Sequence, residues 1–335
     1  MPPRVCVLIP AHNAESTIDS ALKSILRQSL ADFEVIVVDD GSTDATADIL
    51  DAFRLSDDRI RVVRSPRRGI IHALNTGIAL CDAPLIARMD ADDISHPRRL
   101  ELQTERMDAD PGVSVCSSLV RLFPRKGLLG GMVRYEQWLN SLISSDEMAR
   151  DMFVECPVAH PSVMLRRTEL IEIGGYQERG WAEDYDLWLR CHAAGKRFSK
   201  VPSTLLFWRQ AEDRLTFTDS RYSVENFLRA KAHYLAGLLK GRAGPIVLWG
   251  AGKTGRRISK HLIREGLDIE AVIDIDPHKI GHTLRGRPIV SPDHLREQRD
   301  AFVIAAVSSH GARELIRDQL RSLGFEEARD FICAA

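Results

Sequence analysis

Short apolar runs rich in β-branched residues alternate with stretches of helical period along the first ninety residues. Residues 5–9 read as a buried strand, after which Ile18, Ala21, Leu22, Ile25 and Leu26 recur at i, i+3, i+4, i+7 and i+8, one face of a helix. The alternation continues as a strand over 34–38, a helix over 44–53, a strand over 60–63, a helix over 70–80 and a strand over 85–89. Such strand–helix alternation predicts a mostly parallel, doubly wound α/β sheet.

Pro97 opens a further helix running to Met107, and a strand over 113–120 follows. Within 124–152, the run Leu128, Leu129, Gly130, Gly131 reads as a loop or hairpin and 135–151 as helical. After Pro161 the pattern predicts a strand over 162–165, a helix stopped by Gly174 and Gly175, a helix over 183–194 and a strand over 201–209. Residues 219–243 read as a charged helical connector ending in the boundary signals Gly241, Gly244 and Pro245. A second series then begins, with strands over 246–249, 271–274, 302–307 and 331–333 and helices ending near 264 and 323. The chain is expected to divide into a domain over 1–218, a linker over 219–243 and a small α/β domain over 244–335.

Composition narrows the function classes. Lys plus Arg total 46 against 47 for Asp plus Glu, a formal charge of -1, so no global field exists to attract nucleic acid. No apolar run reaches the ~18 residues of a membrane span. The start MPPRVCVLIP lacks the apolar core of a signal peptide, so a cytoplasmic location is expected, with peripheral contact at the inner face of the membrane left open. The cysteines Cys6, Cys81, Cys116, Cys156, Cys191 and Cys333 form no CxxC pair and read as buried free thiols. No HxxxH or HExxH pair supports a zinc site.

In an open parallel sheet, ligands bind beyond the carboxyl ends of the strands, and the polar residues there are specific in this chain. The first strand runs into Pro10, Ala11, His12 and Asn13, the second into Asp39, Asp40, Gly41 and Ser42, the fourth predicted strand of the series into Asp90, Ala91, Asp92 and Asp93. Carboxylates crowded on one rim repel each other unless a cation joins them, which makes 90–92 a candidate site for a divalent metal and a diphosphate. Each aspartate taken alone reads equally as a turn or helix cap. An EF-hand is excluded because Ser95 stands where that loop needs glycine.

The segments VCVLIPAHNAESTI, EVIVVDDGSTDAT, IARMDADDISHPRRLELQ, HPSVMLRR and WAEDYDLWLR together resemble the successive motifs of family 2 inverting glycosyltransferases of the GT-A type. The resemblance implies a nucleotide-sugar-binding sheet in which Pro10, His12, Asn13, Glu15, Asp39 and Asp40 hold base and ribose and Asp90 contacts the ribose side. It further implies that Asp92 ligates Mn2+ or Mg2+ and that Asp184 is the base that takes the acceptor's proton. Glu183 and Asp186 are runners-up to Asp184, and the first-turn placement of these acids also has a plain helix-dipole reading. Arg68 and Arg88 are candidates for a phosphate contact, and His160 and Glu183 for the acceptor. The chain departs from the family at His12, where tyrosine is frequent, and at Ala211, where many relatives carry a histidine near the metal.

In the second domain, Gly250, Gly252 and Gly255 form GxGxxG between a strand and a helix, with Asp274 at the end of the next strand. Val247 rules out a Walker A loop. The segment resembles small Rossmann-like nucleotide-binding domains attached to sugar-modifying enzymes; a bound nucleotide and a purely structural role are both open. The expected function is metal-dependent transfer of a sugar, with a UDP-sugar as the expected donor, to a glycan or lipid-linked acceptor in cell-envelope polysaccharide synthesis. The rivals are an NAD(H)- or sugar-nucleotide-modifying enzyme centred on Gly250–Gly255, and a non-catalytic sugar-nucleotide sensor.

Overall fold

The computed structural model describes residues 2–211, 214–309 and 311–335, which form two compact units. The first comprises Met1–Met148, Pro157–Arg179 and Asp186–Thr218; the second comprises Ala149–Cys156, Gly180–Tyr185 and Asp219–Ala335.

The first unit opens with β1 (Val5–Ala11), α1 (Ile18–Leu26), β2 (Phe33–Asp40), α2 (Thr46–Ser56), β3 (Ile60–Ser65), α3 (Ile70–Leu80) and β4 (Leu85–Arg88). β5 (Ile94–Ser95), α4 (Arg99–Ala109), β6 (Val113–Phe123), α5 (Gly130–Ser141), α6 (Ser145–Asp151), β7 (Met164–Arg166), α7 (Arg167–Glu172), α8 (Glu183–Ala193), β8 (Arg197–Arg209) and α9 (Leu215–Thr218) follow, with residues 149–151 of α6 and 183–185 of α8 belonging to the second unit. Among the described residues the sheet order is β3-β2-β1-β4-β7-β6-β8-β5. The first four strands are parallel, as the alternation predicts. Beyond them the sheet is mixed, because β7 runs antiparallel to both β4 and β6 and β5 antiparallel to β8. The order reverses between β1 and β4, the place where doubly wound sheets open a crevice for ligands.

Continuous apolar strands suit a sheet covered on both faces, and every residue from Val5 to Ile9 is buried. Ile18, Ala21, Leu22 and Ile25 of α1 pack against one face. α3 lies so close to β1 that a Cβ on Gly77 would sit 2.0 Å from Leu8 Cδ1. The short strand β5 was not expected from the sequence, and the segment read as one helix over 135–151 is two, α5 and α6.

The second unit contains α10 (Val224–Leu239), β9 (Ile246–Trp249), α11 (Lys253–Arg264), β10 (Ile269–Ile273), β11 (Thr283–Leu284), β12 (Arg287–Val290), β13 (Phe302–Ala305), α12 (Ala312–Ser322) and β14 (Phe331–Cys333). Its sheet runs β11-β12-β10-β9-β13-β14, parallel except for the β11–β12 hairpin. The segment expected as a connector is α10, and it is a core element: Leu228, Ala232, Leu235 and Leu239 are buried along one stripe. All six cysteines are free and buried. Among the described residues no helix is long and apolar enough to cross a membrane.

Candidate active site

Asp90, Asp92 and Asp93 lie in the turn that leaves β4 at the point where the sheet order reverses. Carboxylate oxygens of all three lie within 4.8 Å of one another. Asp93 is fully buried; its Oδ1 accepts from the backbone N of Arg209 at 2.8 Å, and its Oδ2 has no partner. Arg209 also donates from Nε to the Asp92 carbonyl at 2.6 Å, which ties the end of β8 to this turn. Burial, and then the neighbouring Asp90, push the Asp92 carboxyl up to about 6. Burial, then Asp90 and Asp92, push Asp93 well above the usual carboxylate range.

Arg88 corrects one expectation from the sequence. It is almost fully buried and lies 2.6 Å from Asp90 Oδ1, so it braces the carboxylate turn rather than reaching out as a phosphate ligand. Its Nε and Nη1 have no hydrogen-bond partner among the described residues. Arg214, which the sequence did not single out, stacks 4.7 Å over Trp208 and lowers the cost of charge on Asp92 and Asp93. Arg88, Arg99, Arg209 and Arg214 all act on the cluster, yet Asp92 and Asp93 are still held above the usual carboxylate range. A donor set made only of crowded carboxylates, one of them with an orphaned buried oxygen, fits a hard divalent ion.

The ends of β1 and β2 are laced together. Asn13 Oδ1 accepts from Thr43 N at 2.8 Å, Asn13 N donates to Ser42 Oγ at 2.9 Å, and Glu15 Oε2 accepts from Ala45 N at 2.9 Å. Asp40 is buried, with Oδ1 accepting from Arg68 N at 2.7 Å and Oδ2 from Gly69 N at 2.8 Å. Asn13, Glu15 and Asp40, expected as direct nucleotide contacts, therefore use their side chains to fix the loops. Asp39 keeps one oxygen without a hydrogen bond among the described residues, the other accepting from Ser42 N at 3.0 Å. His12 Nδ1 donates to the Asp40 carbonyl at 3.0 Å, and its Nε2 is buried without a partner among the described residues. Pro10 precedes these residues within β1, and the Arg68 side chain is exposed beside His72.

His160, Asp186 and Glu183, the candidates around the acceptor and the base, are all buried. His160 is buried, its Nε2 is 2.7 Å from Tyr176 Oη, and burial, then Arg88, hold it well below the ordinary histidine range. Asp186 is likewise enclosed and pairs with Arg190 Nε at 2.8 Å. In the second unit Glu183 is 1% exposed, and the single Tyr222 O–H is shared between its two oxygens at 2.7 and 2.8 Å. Asp184 differs from its neighbours: from Trp181 to Cys191 it alone is not buried.

The glycine loop after β9 has the close approach that GxGxxG implies. A Cβ on Gly255 would sit 1.7 Å from Gly250 O, and one on Gly250 would sit 2.9 Å from Ala306 O. A Cβ on Gly252 would meet nothing within 4 Å among the described residues. Asp274, expected to meet a ribose, instead accepts from Ala251 N at 2.9 Å and Asp276 N at 3.0 Å, with Lys279 Nζ at 3.3 Å.

Residues 6–174, half of the chain, match the family model described as Glycosyl transferase family 2. The chain belongs to this family. Residues 243–331 of this family 2 glycosyltransferase match a second model, C2185-like, N-terminal. Among relatives, the putative glycosyltransferase EpsE of Bacillus subtilis is 29% identical over 67% of this chain and 79% of its own length. The Escherichia coli UDP-Gal:alpha-D-GlcNAc-diphosphoundecaprenol beta-1,3-galactosyltransferase is 27% identical over 63% and 76%. The fold is shared with Staphylococcus aureus TarS 1-349 in complex with UDP-GlcNAc, at TM-score 0.54, 17% identity and 78% and 72% coverage. It is also shared with a Pyrobaculum calidifontis mannosyltransferase in complex with GDP-Man and Mn2+, at TM-score 0.51, 21% identity and 70% and 63% coverage.

Proposed function

We propose that this family 2 glycosyltransferase moves a sugar from a uridine diphosphate donor to a hydroxyl of a glycan or lipid-linked acceptor, inverting the anomeric carbon and using Mn2+ or Mg2+. The observation that carries the reading is the cluster of Asp90, Asp92 and Asp93 at the β1–β4 reversal, with carboxylates within 4.8 Å, Asp92 and Asp93 held above the usual carboxylate range, and one buried Asp93 oxygen without a partner among the described residues. Asp92, half-buried, and Asp90 would hold the divalent ion, which when bound offsets the charge that develops on the departing diphosphate. Arg214 supplies a fixed positive charge near Asp92, where Ala211 cannot.

Asp184 would accept the proton of the attacking hydroxyl as that oxygen bonds to the anomeric carbon and the bond to the diphosphate breaks. Its partial exposure at the start of α8, among buried neighbours, supports that role. Asp39 and His12 retain open polar atoms suited to the nucleoside. The UDP and lipid-linked assignments draw support from the complexes and names of the relatives above. A reading centred on the glycine loop has less support, since Asp274 is engaged by the loop itself.

The test is calorimetric titration and turnover of the full chain with UDP- and GDP-sugars, with and without Mn2+. Asp92→Ala is expected to lose metal-dependent donor binding, whereas Asp184→Asn is expected to keep binding and lose turnover by about 10²-fold or more. NAD(H) binding that Gly252→Val removes, with the aspartates immaterial, would support the rival instead.

A further inference from the structure

Residues 180–185 carry the proposed base, yet they belong to the compact unit of the C-terminal half. Alternate side chains of this segment are gripped by α10 and the turn before it. Trp181 is buried, with Arg229 5.6 Å over its ring and His233 5.6 Å away ring to ring; those two residues are one helical turn apart on α10. Tyr185 donates to the Met152 carbonyl at 2.8 Å and packs 5.3 Å from the Phe227 ring. Between them, the single Tyr222 O–H is shared by the two oxygens of Glu183.

The turn that presents Tyr222 is itself fixed. Asp219 accepts from Arg221 N at 2.9 Å and pairs with its guanidinium at 2.7 Å, and Arg221 lies 4.0 Å from Glu183. Ser223 then caps α10, accepting from Asn226 N, while Asn226 Nδ2 donates to Ser220 O at 2.8 Å. A buried carboxylate held by a phenol on a braced turn fixes the first residues of α8, and with them the direction of the adjacent Asp184. Helix dipole and packing alone would leave that first turn free to fray.

We propose that Tyr222 is a positioning residue for Asp184, acting through its hydrogen bonds to Glu183, and that α10 is the jig on which the base is mounted. The inference rests on the reading of Asp184 as the base. The geometry that carries it is the pairing of three alternate residues, 181, 183 and 185, with partners between 222 and 233, which leaves Asp184 as the half-buried member of a buried segment.

The experiment measures UDP release from UDP-GlcNAc or UDP-Gal with Mn2+ by the full chain, with water as acceptor, in wild type, Tyr222→Phe, Asp184→Asn and the double variant. Tyr222→Phe is expected to lower kcat by about tenfold or more, as small displacements of a reacting group do, with donor KM and melting temperature held. In the Asp184→Asn background the same change is expected to have no further effect. An unchanged kcat in Tyr222→Phe, or an equal fall in both backgrounds, would overturn the inference. Full turnover in Asp184→Asn alone would instead remove the base assignment, so the two failures are distinct. Should Tyr222→Phe not fold, Glu183→Gln serves: it keeps an oxygen for the phenol and is expected to retain more kcat than Glu183→Ala at equal donor KM; equal losses would overturn the role.

Discussion

Asp92 ionises near 6 in the folded protein because burial and Asp90 oppose its charge, whereas a free aspartate ionises near ~3.9. As pH rises between these values the unfolded chain gives up a proton that the folded one keeps, so the metal-free protein loses stability and the loss is complete above pH 6. Two consequences follow at pH 7.5. Asp92→Asn is expected to raise the metal-free melting temperature by about 2–5 °C, and to abolish the rise that Mn2+ gives the wild type. At pH 5 both effects are expected to shrink; scanning fluorimetry at the two pH values, with and without Mn2+, checks them. A lower melting temperature for metal-free Asp92→Asn would mean that the carboxylates are not in conflict.

Which aspartates sit on the rim was legible from their places after the strands. How each is used was not. Asp40 is engaged by Arg68 and Gly69 across the β2–β3 register, and Arg88 is turned inward onto Asp90, two outcomes that depend on packing rather than on residue type or spacing.

At the scale of elements, the alternation in the first ninety residues foretold β1 to β4 and the three helices between them because each has a clear period and a length its class expects. β5 is two residues long and has no period to detect, and β8 begins with the mainly polar stretch Arg197–Lys200 that becomes strand by pairing with β6. The motif after β9 was legible as a strand–turn–helix, and the structure separates its glycines. Gly255→Ala would force a Cβ against Gly250 O at 1.7 Å and is expected to destabilise the second unit by several kcal/mol, of order 3. Gly252→Ala meets open space with an ordinary backbone and is expected to change stability by less than about 1 kcal/mol. Denaturant unfolding of the two variants distinguishes them, and equal losses would contradict the packing described.

For the whole molecule, the glycine and proline signals at 241–245 mark a change of backbone, and they suggested a cut between a transferase and an appendage. The packing cuts elsewhere. Segments 149–156 and 180–185 are interleaved with the C-terminal half, where Lys231, fully enclosed, donates to Val154 O at 2.7 Å and Arg317 pairs with Asp151. A chain ended at residue 218 would strip Trp181 and Tyr185 of their ring partners and Asp151 of Arg317, the buried one of its two arginines, and is expected to melt lower than the full chain and to aggregate. Soluble yield and melting temperature of that fragment check the point; a fragment as stable as the full chain would contradict it.

The most direct test of the transferase assignment is donor turnover by the purified full chain with and without Mn2+. Metal-dependent UDP release that Asp92→Ala loses together with donor binding, and that Asp184→Asn loses while donor binding persists, is the expected result. Turnover that is indifferent to Mn2+ and survives both substitutions would contradict it.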